Sequence, residues 1–197
     1  MRILVACEFS GIVRDAFASK GHYAMSCDLE PTESSGIHYQ GDVMDILYKD
    51  WDMMIAHPPC TFLTTTANRH FKNNPERWQS RVDAMIFVKK LLDAPIPKIC
   101  LENPKGVISS FIRPPDQYIH PFHFGDRMAK LTGLWLKGLP PLMHTKIVQP
   151  EVHLYKSKKT KSGFSKYSKL GKLGKNHGKE RSVFFPGIAQ AMAEQWG

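Results

Sequence analysis

The sequence predicts an α/β domain with a mainly parallel sheet and helices on both faces. Three observations lead there. Short apolar runs rich in β-formers alternate with helical patterns over residues 1–142. Chemically unusual residues follow directly after those runs, where ligands bind in open parallel sheets. At 197 residues the chain is long enough for one domain with a sizeable core and short for two.

The elements follow in order. "RILVAC" (2–7) is a first strand, passing through "EFSG" into a helix, "IVRDAFASKG", with Ile12, Phe17 and alanines on one face and Gly21 as its stop. "HYAMSCDLE" (22–30) is a second strand ending in acid, and "GDVMDIL" (41–47) is a loop with a short helix. "WDMMIA" (51–56) is another strand, leading into "HPPCTFLT" (57–64). Pro75 opens a helix over 75–93, in which Trp78, Val82, Met85, Ile86 and Leu92 fall near a 3.6-residue period. "KICLEN" (98–103) and "LTGLWL" (131–136) are strands, and "FPGIAQAMAEQWG" forms a short helix after Pro186. Residues 143–181 have almost no apolar periodicity, and their Gly, Ser and Lys content predicts a flexible insert. The domain is therefore read as a core over 1–142, an insert over 143–181 and a closing helical segment over 182–197.

The net charge of +9 is uneven. Residues 156–181 hold ten Lys or Arg and one Glu, which leaves 17 basic and 17 acidic residues in the rest of the chain. The apolar stretches are broken by charge before the ~18 residues a membrane span needs. The opening "MRILVACEFSG" lacks the length and the small-residue cleavage site of a signal peptide. The expectation is a soluble, cytoplasmic protein without a membrane partner. The cysteines, Cys7, Cys27, Cys60 and Cys100, form no C-x-x-C pair, and no Cys/His group has zinc-finger spacing, so no metal is expected.

The chemistry collects at strand ends. The first strand exits into Glu8-Phe9-Ser10-Gly11, the second into Asp28 and Leu29, the strand at 51–56 into His57-Pro58-Pro59-Cys60, and the strand at 98–101 into Glu102-Asn103-Pro104. Gly11 allows backbone to approach a ligand closely, though a tight turn alone also explains it. Asp28 can accept hydrogen bonds from ribose hydroxyls and Asp42 can receive an adenine amino group, while a solvated turn acid is the plainer reading of each. Cys60, taken alone, is a nucleophile, a metal ligand or a small apolar side chain. With Glu102 at a neighbouring strand end, it suits attack on C6 of a pyrimidine with charge developing at N3. Asn103 is read as shaping its turn.

In this order the motifs resemble the cytosine-C5 DNA methyltransferase family, in the compact form of bacteriophage and prophage genomes. Phe9-Ser10-Gly11 resembles the family's first motif and Asp28 its ribose-binding acid. Pro59-Cys60 resembles the nucleophile motif Pro-Cys-Gln-x-x-Ser, with Thr64 at the serine position, and Glu102-Asn103-Pro104 resembles Glu-Asn-Val. "GIAQAMAEQW" resembles the last motif, whose helix helps close the cofactor site. The match covers about residues 1–142 and 182–197. The resemblance implies a Rossmann-like S-adenosylmethionine-dependent methyltransferase fold. It also implies S-adenosylmethionine as cofactor, held by Glu8, Phe9, Ser10, Gly11, Asp28, Leu29, Asp42, Val43 and Pro58. Cys60 would add to C6 of a cytosine flipped out of DNA, while Glu102 steadies N3 and the 4-amino group.

Some positions depart from the family. Thr61 replaces the glutamine after the cysteine, and Ile12-Val13-Arg14 replaces the second glycine of the first motif. The Gln-x-Arg-x-Arg element is absent. "FGDRMAKLT" stands in its place, so Lys130, Thr132 or Arg127 would substitute, with Lys130 preferred. The large target-recognition domain is missing as well, and the basic insert occupies its position. There Lys158, Lys159, Lys161, Lys166, Lys169 and Lys172, with Phe164 and Tyr167, can neutralise phosphates and stack on a base, but they offer little for reading sequence. DNA with short or low sequence specificity, single strands included, is the expected partner; a solvated loop that binds nothing in particular is the plainer reading of the segment. Two other functions stay open: a pyrimidine-modifying enzyme acting on RNA, a free nucleotide or through another one-carbon donor, and a degenerate copy that binds nucleic acid or a protein. An amino-methyltransferase fits less well, because Cys60 stands where those enzymes place an aromatic residue.

Overall fold

The computed structural model describes residues 1–65, 68, 71–156, 164–168 and 183–197. It opens on β1 (Arg2–Ala6), whose alternate residues serve opposite faces of a sheet: Ile3 and Val5 pack into one core layer, Leu4 and Ala6 into the other. Helix α1 (Ile12–Ala18) covers the first face, and β2 (Tyr23–Asp28) and β3 (His38–Gln40) pair in parallel beyond β1. A 3-10 turn (Val43–Asp45) leads to β4 (Met53–Ala56), all four residues of which are buried, parallel to β1 on its other side. Helix α2 (Pro75–Asp93) covers the second face, followed by β5 (Lys98–Pro104), parallel to β4. The short α3 (Ile108–Phe111), β6 (Gln117–Ile119) and β7 (Thr132–Lys137) complete the sheet, and α4 (Pro186–Trp196) packs against α1.

The order is β3-β2-β1-β4-β5-β7-β6, and β7 alone runs antiparallel, between β5 and β6. This is a Rossmann-like α/β sheet with helices on both faces. Each apolar side chain fully buried between sheet and helices contributes about 1.5–3 kcal/mol. Both layers are lined mainly by aliphatic and aromatic residues, among them Val13, Phe17, Met192 and Trp196 on one side and Ile46, Leu47, Val88 and Trp135 on the other.

The structure departs from the sequence expectations at four places. β5 runs on to Pro104, so Glu102, Asn103 and Pro104 do not form an exit loop beyond residue 101: antiparallel β7 pairs with all three and extends the ladder. The acid-ended second strand stops at Asp28, and the residues beyond it turn back into the unexpected β3. On α2 the 3.6-residue stripe faces the sheet only in part: Met85 and Leu92 pack against the core beside the buried Val88 and Leu91, whereas Trp78, Val82 and Ile86 are about half exposed. Apolar residues surround this helix almost completely, so the period marks the helix without marking its inner face. Finally, β8 (Val152–Lys156) and β9 (Phe164–Ser168) form an antiparallel hairpin inside the stretch expected to lack structure. No helix among the described residues is long and apolar enough to cross a membrane.

Candidate active site

The carboxyl ends of β1, β2 and β4 open onto a cavity of about 480 Å³, within the roughly 300–1,000 Å³ of small-molecule sites. Five residues expected at a cofactor line it: Asp28, Leu29, Asp42, Val43 and Pro58. The walls are apolar, with Phe62 and Leu63 from the segment after Cys60 and Phe87 from α2, and Asp83 adds a third carboxylate from that helix. Asp28 Oδ1 accepts the N–H of Glu30 (3.0 Å) and Asp42 Oδ1 that of Met44 (2.9 Å), so local backbone fixes both acids. Apolar walls and three acids suit a nucleoside carrying positive charge.

Cys7 and Cys27 form part of the same lining. Burial, then the Asp28 carboxylate, pushes both thiols up, Cys27 to about 12, so both stay protonated. Cys7 has φ 59°, an uncommon value for a residue other than glycine, as the chain turns out of β1. No disulfide joins any of the four cysteines.

The turn at 8–11 serves another purpose in the structure. Glu8 is buried and caps α1: Oε1 accepts Val13 N–H at 2.7 Å and Oε2 accepts Arg14 N–H at 3.2 Å. Ser10 Oγ bonds to Glu8 (3.3 Å), and the Phe9 carbonyl accepts Glu33 N–H (2.9 Å). Gly11, at φ 77°, is approached by the chain itself: a Cβ there would lie 2.2 Å from Ser34 Oγ and 2.4 Å from Arg14 Nη2. The buried Arg14 guanidinium bonds to Ser26, Thr32, Ser34 and Ser35 and holds the 32–35 segment over the turn. Glu8, Phe9, Ser10 and Gly11 therefore lie outside the cavity lining.

A second cluster gathers around Glu102. Thr132 Oγ donates to Oε1 at 2.8 Å, and His57 Nδ1 lies 3.4 Å from Oε2. Burial pushes this carboxyl up, but Lys130 and the bonds from His57 and Thr132 outweigh it and hold the group at about 2. Lys130 also lies 5.5 Å from the Phe185 ring centre. Arg127 instead faces the Gln149 carbonyl and Glu151, at 3.4 and 3.8 Å.

Cys60 begins the turn after β4, and its carbonyl accepts the N–H groups of Leu63 and Thr64. Three contacts tie this turn to β5 and the segment after it. Asn103 Nδ2 donates to the Pro58 carbonyl at 2.8 Å, Val107 N–H donates to the Leu63 carbonyl at 2.8 Å, and Thr64 bridges Gly106. Asn103, expected to shape the turn it stands in, lies within β5 and instead ties down the segment after β4. Of the expected DNA-contacting lysines, Lys158, Lys159, Lys161, Lys169 and Lys172 lie outside the described residues; Lys166 falls on β9, where only the backbone is described.

Sequence reasoning passed over His57, although it heads the strand-end stretch "HPPCTFLT" and the strand-end rule applies to it directly. Ser80, Asp83 and Phe87 carried no signal, because only the docking of α2 brings them over the cavity.

The sheet order is that of a Rossmann-like α/β fold, with one antiparallel strand between β5 and β6. Among solved structures the chain is similar to the crystal structure of a candidate DNA modification methyltransferase encoded within an E. coli prophage. The identity is 15%, the TM-score 0.46, and the match covers 76% of this chain and 52% of that one. The chain thus spans about half the length of the protein it matches. No family model matches the chain, and no curated protein matches it.

Proposed function

We propose that the protein is a DNA methyltransferase that modifies cytosine at C5, with Cys60 as nucleophile and Glu102 as the group that binds the ring at N3 and the 4-amino position. One observation carries this reading: the buried Glu102 lies on β5 next to Asn103, whose side chain donates to the Pro58 carbonyl in the strand-end segment that presents Cys60. Pro58 and Pro59, which directly precede Cys60, line the acid-bearing cavity.

The cavity fits S-adenosylmethionine by the chemistry of its donors. Asp28 would receive the ribose hydroxyls, Asp42 the adenine amino group, and the apolar walls would hold the base. When bound, that group supplies an electrophilic methyl. The chain's own residues do the rest. The Cys60 thiolate forms a bond to C6 while the C5=C6 electron pair moves toward C4. Glu102 accepts the 4-amino N–H and hands a proton to N3, where the electron pair arrives, taking it back when Cys60 leaves. Elimination of Cys60 restores the ring once the C5 proton has left. Lys130 and Thr132 act through Glu102, and the basic insert would supply phosphate contacts.

The test is covalent trapping. An oligonucleotide containing 5-fluorocytosine, incubated with protein and S-adenosylmethionine, is expected to give a stoichiometric adduct, and Cys60→Ala is expected to give none. Absence of the wild-type adduct, with cofactor binding shown by calorimetry, would overturn the C5 mechanism. Nucleoside masses from treated DNA and RNA would then separate the other substrates from a protein that only binds.

A further inference from the structure

Among the described residues, His57 is one of the few with a buried side-chain nitrogen that makes no hydrogen bond. Its backbone N–H donates to the Ala6 carbonyl at 2.9 Å, which carries the β1–β4 pairing one residue past β4 and fixes where the ring begins. Its side chain is 10% exposed and that of Glu102 8%. The ring packs on Phe184, with centres 4.5 Å apart and planes at 49°. Nδ1 faces Glu102, while Nε2 is buried and makes no hydrogen bond among the described residues. A histidine retained only for packing would not leave a buried nitrogen unpaired.

The charged surroundings are one-sided. Glu102 approaches from β5 and Glu8 from the turn after β1, and His57 is the strongest influence opposing the burial of Glu8. Lys130 and Thr132 reach the same Glu102 carboxylate from the start of β7, and Arg14 stands behind Glu8. Phe184, from the segment before α4, closes the remaining side without adding charge. Nδ1 lies within hydrogen-bond reach of the Glu102 carboxylate, so a proton on that nitrogen has a neighbour to pass to.

We propose that His57 is the positioning residue and proton source for Glu102, a role that rests on the C5 reading given above. As imidazolium it donates Nδ1–H to Oε2 and leaves Oε1 to Thr132, so both carboxylate oxygens are oriented. When a cytosine presents N3, the proton moves from Nδ1 to Glu102 and from Glu102 to N3, leaving His57 neutral and the carboxylate ionised. Attack of the Cys60 thiolate at C6 then moves the C5=C6 pair to C4=C5 and the C4=N3 pair onto the protonated N3. One proton is relocated, one S–C bond is made, and no oxidant or reductant is required. When Cys60 leaves, N3 returns its proton through Glu102 to Nδ1, so His57 is an imidazolium again and the C5 proton is the one released.

Two variants and two readouts test this. His57→Asn keeps a donor near the Nδ1 position but cannot change charge; His57→Ala keeps neither. In the free protein, the Glu102 side-chain carboxyl is followed by carbon-13 NMR during acid titration. Its midpoint is expected to rise by about one pH unit in His57→Asn and further in His57→Ala. An unchanged midpoint in both would overturn the coupling, whatever the reaction proves to be. Adduct formation on 5-fluorocytosine DNA is then measured against pH. Wild type is expected to lose rate as the imidazole gives up its proton, whereas His57→Asn is expected to be at least tenfold slower and to lack that limb. Full rate with an unaltered profile in His57→Asn would overturn the proton role and leave the C5 reading intact. A shifted Glu102 midpoint with no adduct from wild type would leave the His57–Glu102 coupling standing, overturn its role as proton source to cytosine, and remove the C5 reading instead.

Discussion

Thr132 Oγ stands 2.8 Å from Glu102 Oε1 and donates its hydrogen to it, both groups being almost wholly buried. The bond crosses from β7 to β5 near the end of the antiparallel ladder, where Thr132 pairs with Pro104 and Leu134 with Glu102. A hydrogen bond to a buried charge contributes about 1.5–3 kcal/mol, and a carboxylate oxygen left without its donor bears the cost of desolvation. Thr132→Val keeps the shape and removes the donor. Denaturant unfolding should show a loss of about that size, and adduct formation should slow at least tenfold while cofactor affinity stays within twofold. Wild-type stability together with wild-type rate in this variant would remove Thr132 from the site.

Gly106 is the point where the segment after β5 meets the turn after Cys60. A Cβ at this position would lie 2.1 Å from the Leu63 carbonyl oxygen, which also accepts the Val107 N–H. The obstacle is backbone, so it cannot rotate away. Gly106→Ala should therefore push the two segments apart and destabilise the fold by about 1–3 kcal/mol, as overpacking does. The adduct rate should fall more than the stability loss accounts for, since Cys60 would move relative to Glu102. Retention of the full rate would show that this contact does not set the placement of Cys60.

The two buried acids pull the stability of the fold in opposite directions with pH. Glu102 is held at about 2, against 4.5 for a free glutamate, by Lys130, His57 and Thr132 acting against burial. Its folded value is depressed, so its contribution is complete above pH 4.5 and is lost as pH falls toward 2. The shift corresponds to at most about 3 kcal/mol. Burial raises Glu8 above 4.5, so its contribution to the folded state is complete below pH 4.5 and is lost as pH rises from there through its raised folded value. Unfolding free energies of wild type and Glu102→Gln, measured from pH 7 to 2, should differ most near neutrality and converge in acid. A gap constant across that range would show that Glu102 is not ionised in the folded chain.

Much of this arrangement is legible along the chain, and the illegible parts share a cause. β1, β4 and α2 announce themselves through apolar runs, Pro75 and period. Asp28 lines the cavity at a strand end, where such cavities open, and Asp42 lines it from the loop after the unexpected β3. β3 and β6 have three residues each and exist through pairing with β2 and β7, so no local pattern marks them. The turn at 8–11 was read as open to ligand, yet Arg14, Thr32 and Ser34 close over it through contacts spanning about twenty residues. His57 was overshadowed by Cys60 three residues later, since the partners that give it meaning, Glu8, Glu102 and Phe184, come from three distant segments.

The last prediction concerns charge in the cavity. Asp28, Asp42 and Asp83 line it together with apolar side chains, so a cationic nucleoside should be preferred over a neutral one of the same shape. S-adenosylmethionine carries a positive sulfonium and S-adenosylhomocysteine a neutral thioether, which makes the pair a direct probe. Asp28→Asn removes a charge and weakens a hydrogen bond worth about 1.5–3 kcal/mol, so affinity measured by calorimetry should fall about 10–100-fold for both compounds. Asp83→Asn, on α2, should weaken the sulfonium compound more than the thioether if its carboxylate acts through field alone. Leu29→Ala serves as the control: its side chain is 74% exposed at the rim, and its loss should change either affinity less than threefold. Equal affinities across wild type, Asp28→Asn and Asp42→Asn would show that the cavity is not the cofactor site, and the strand-end acids would then be turn-forming residues only.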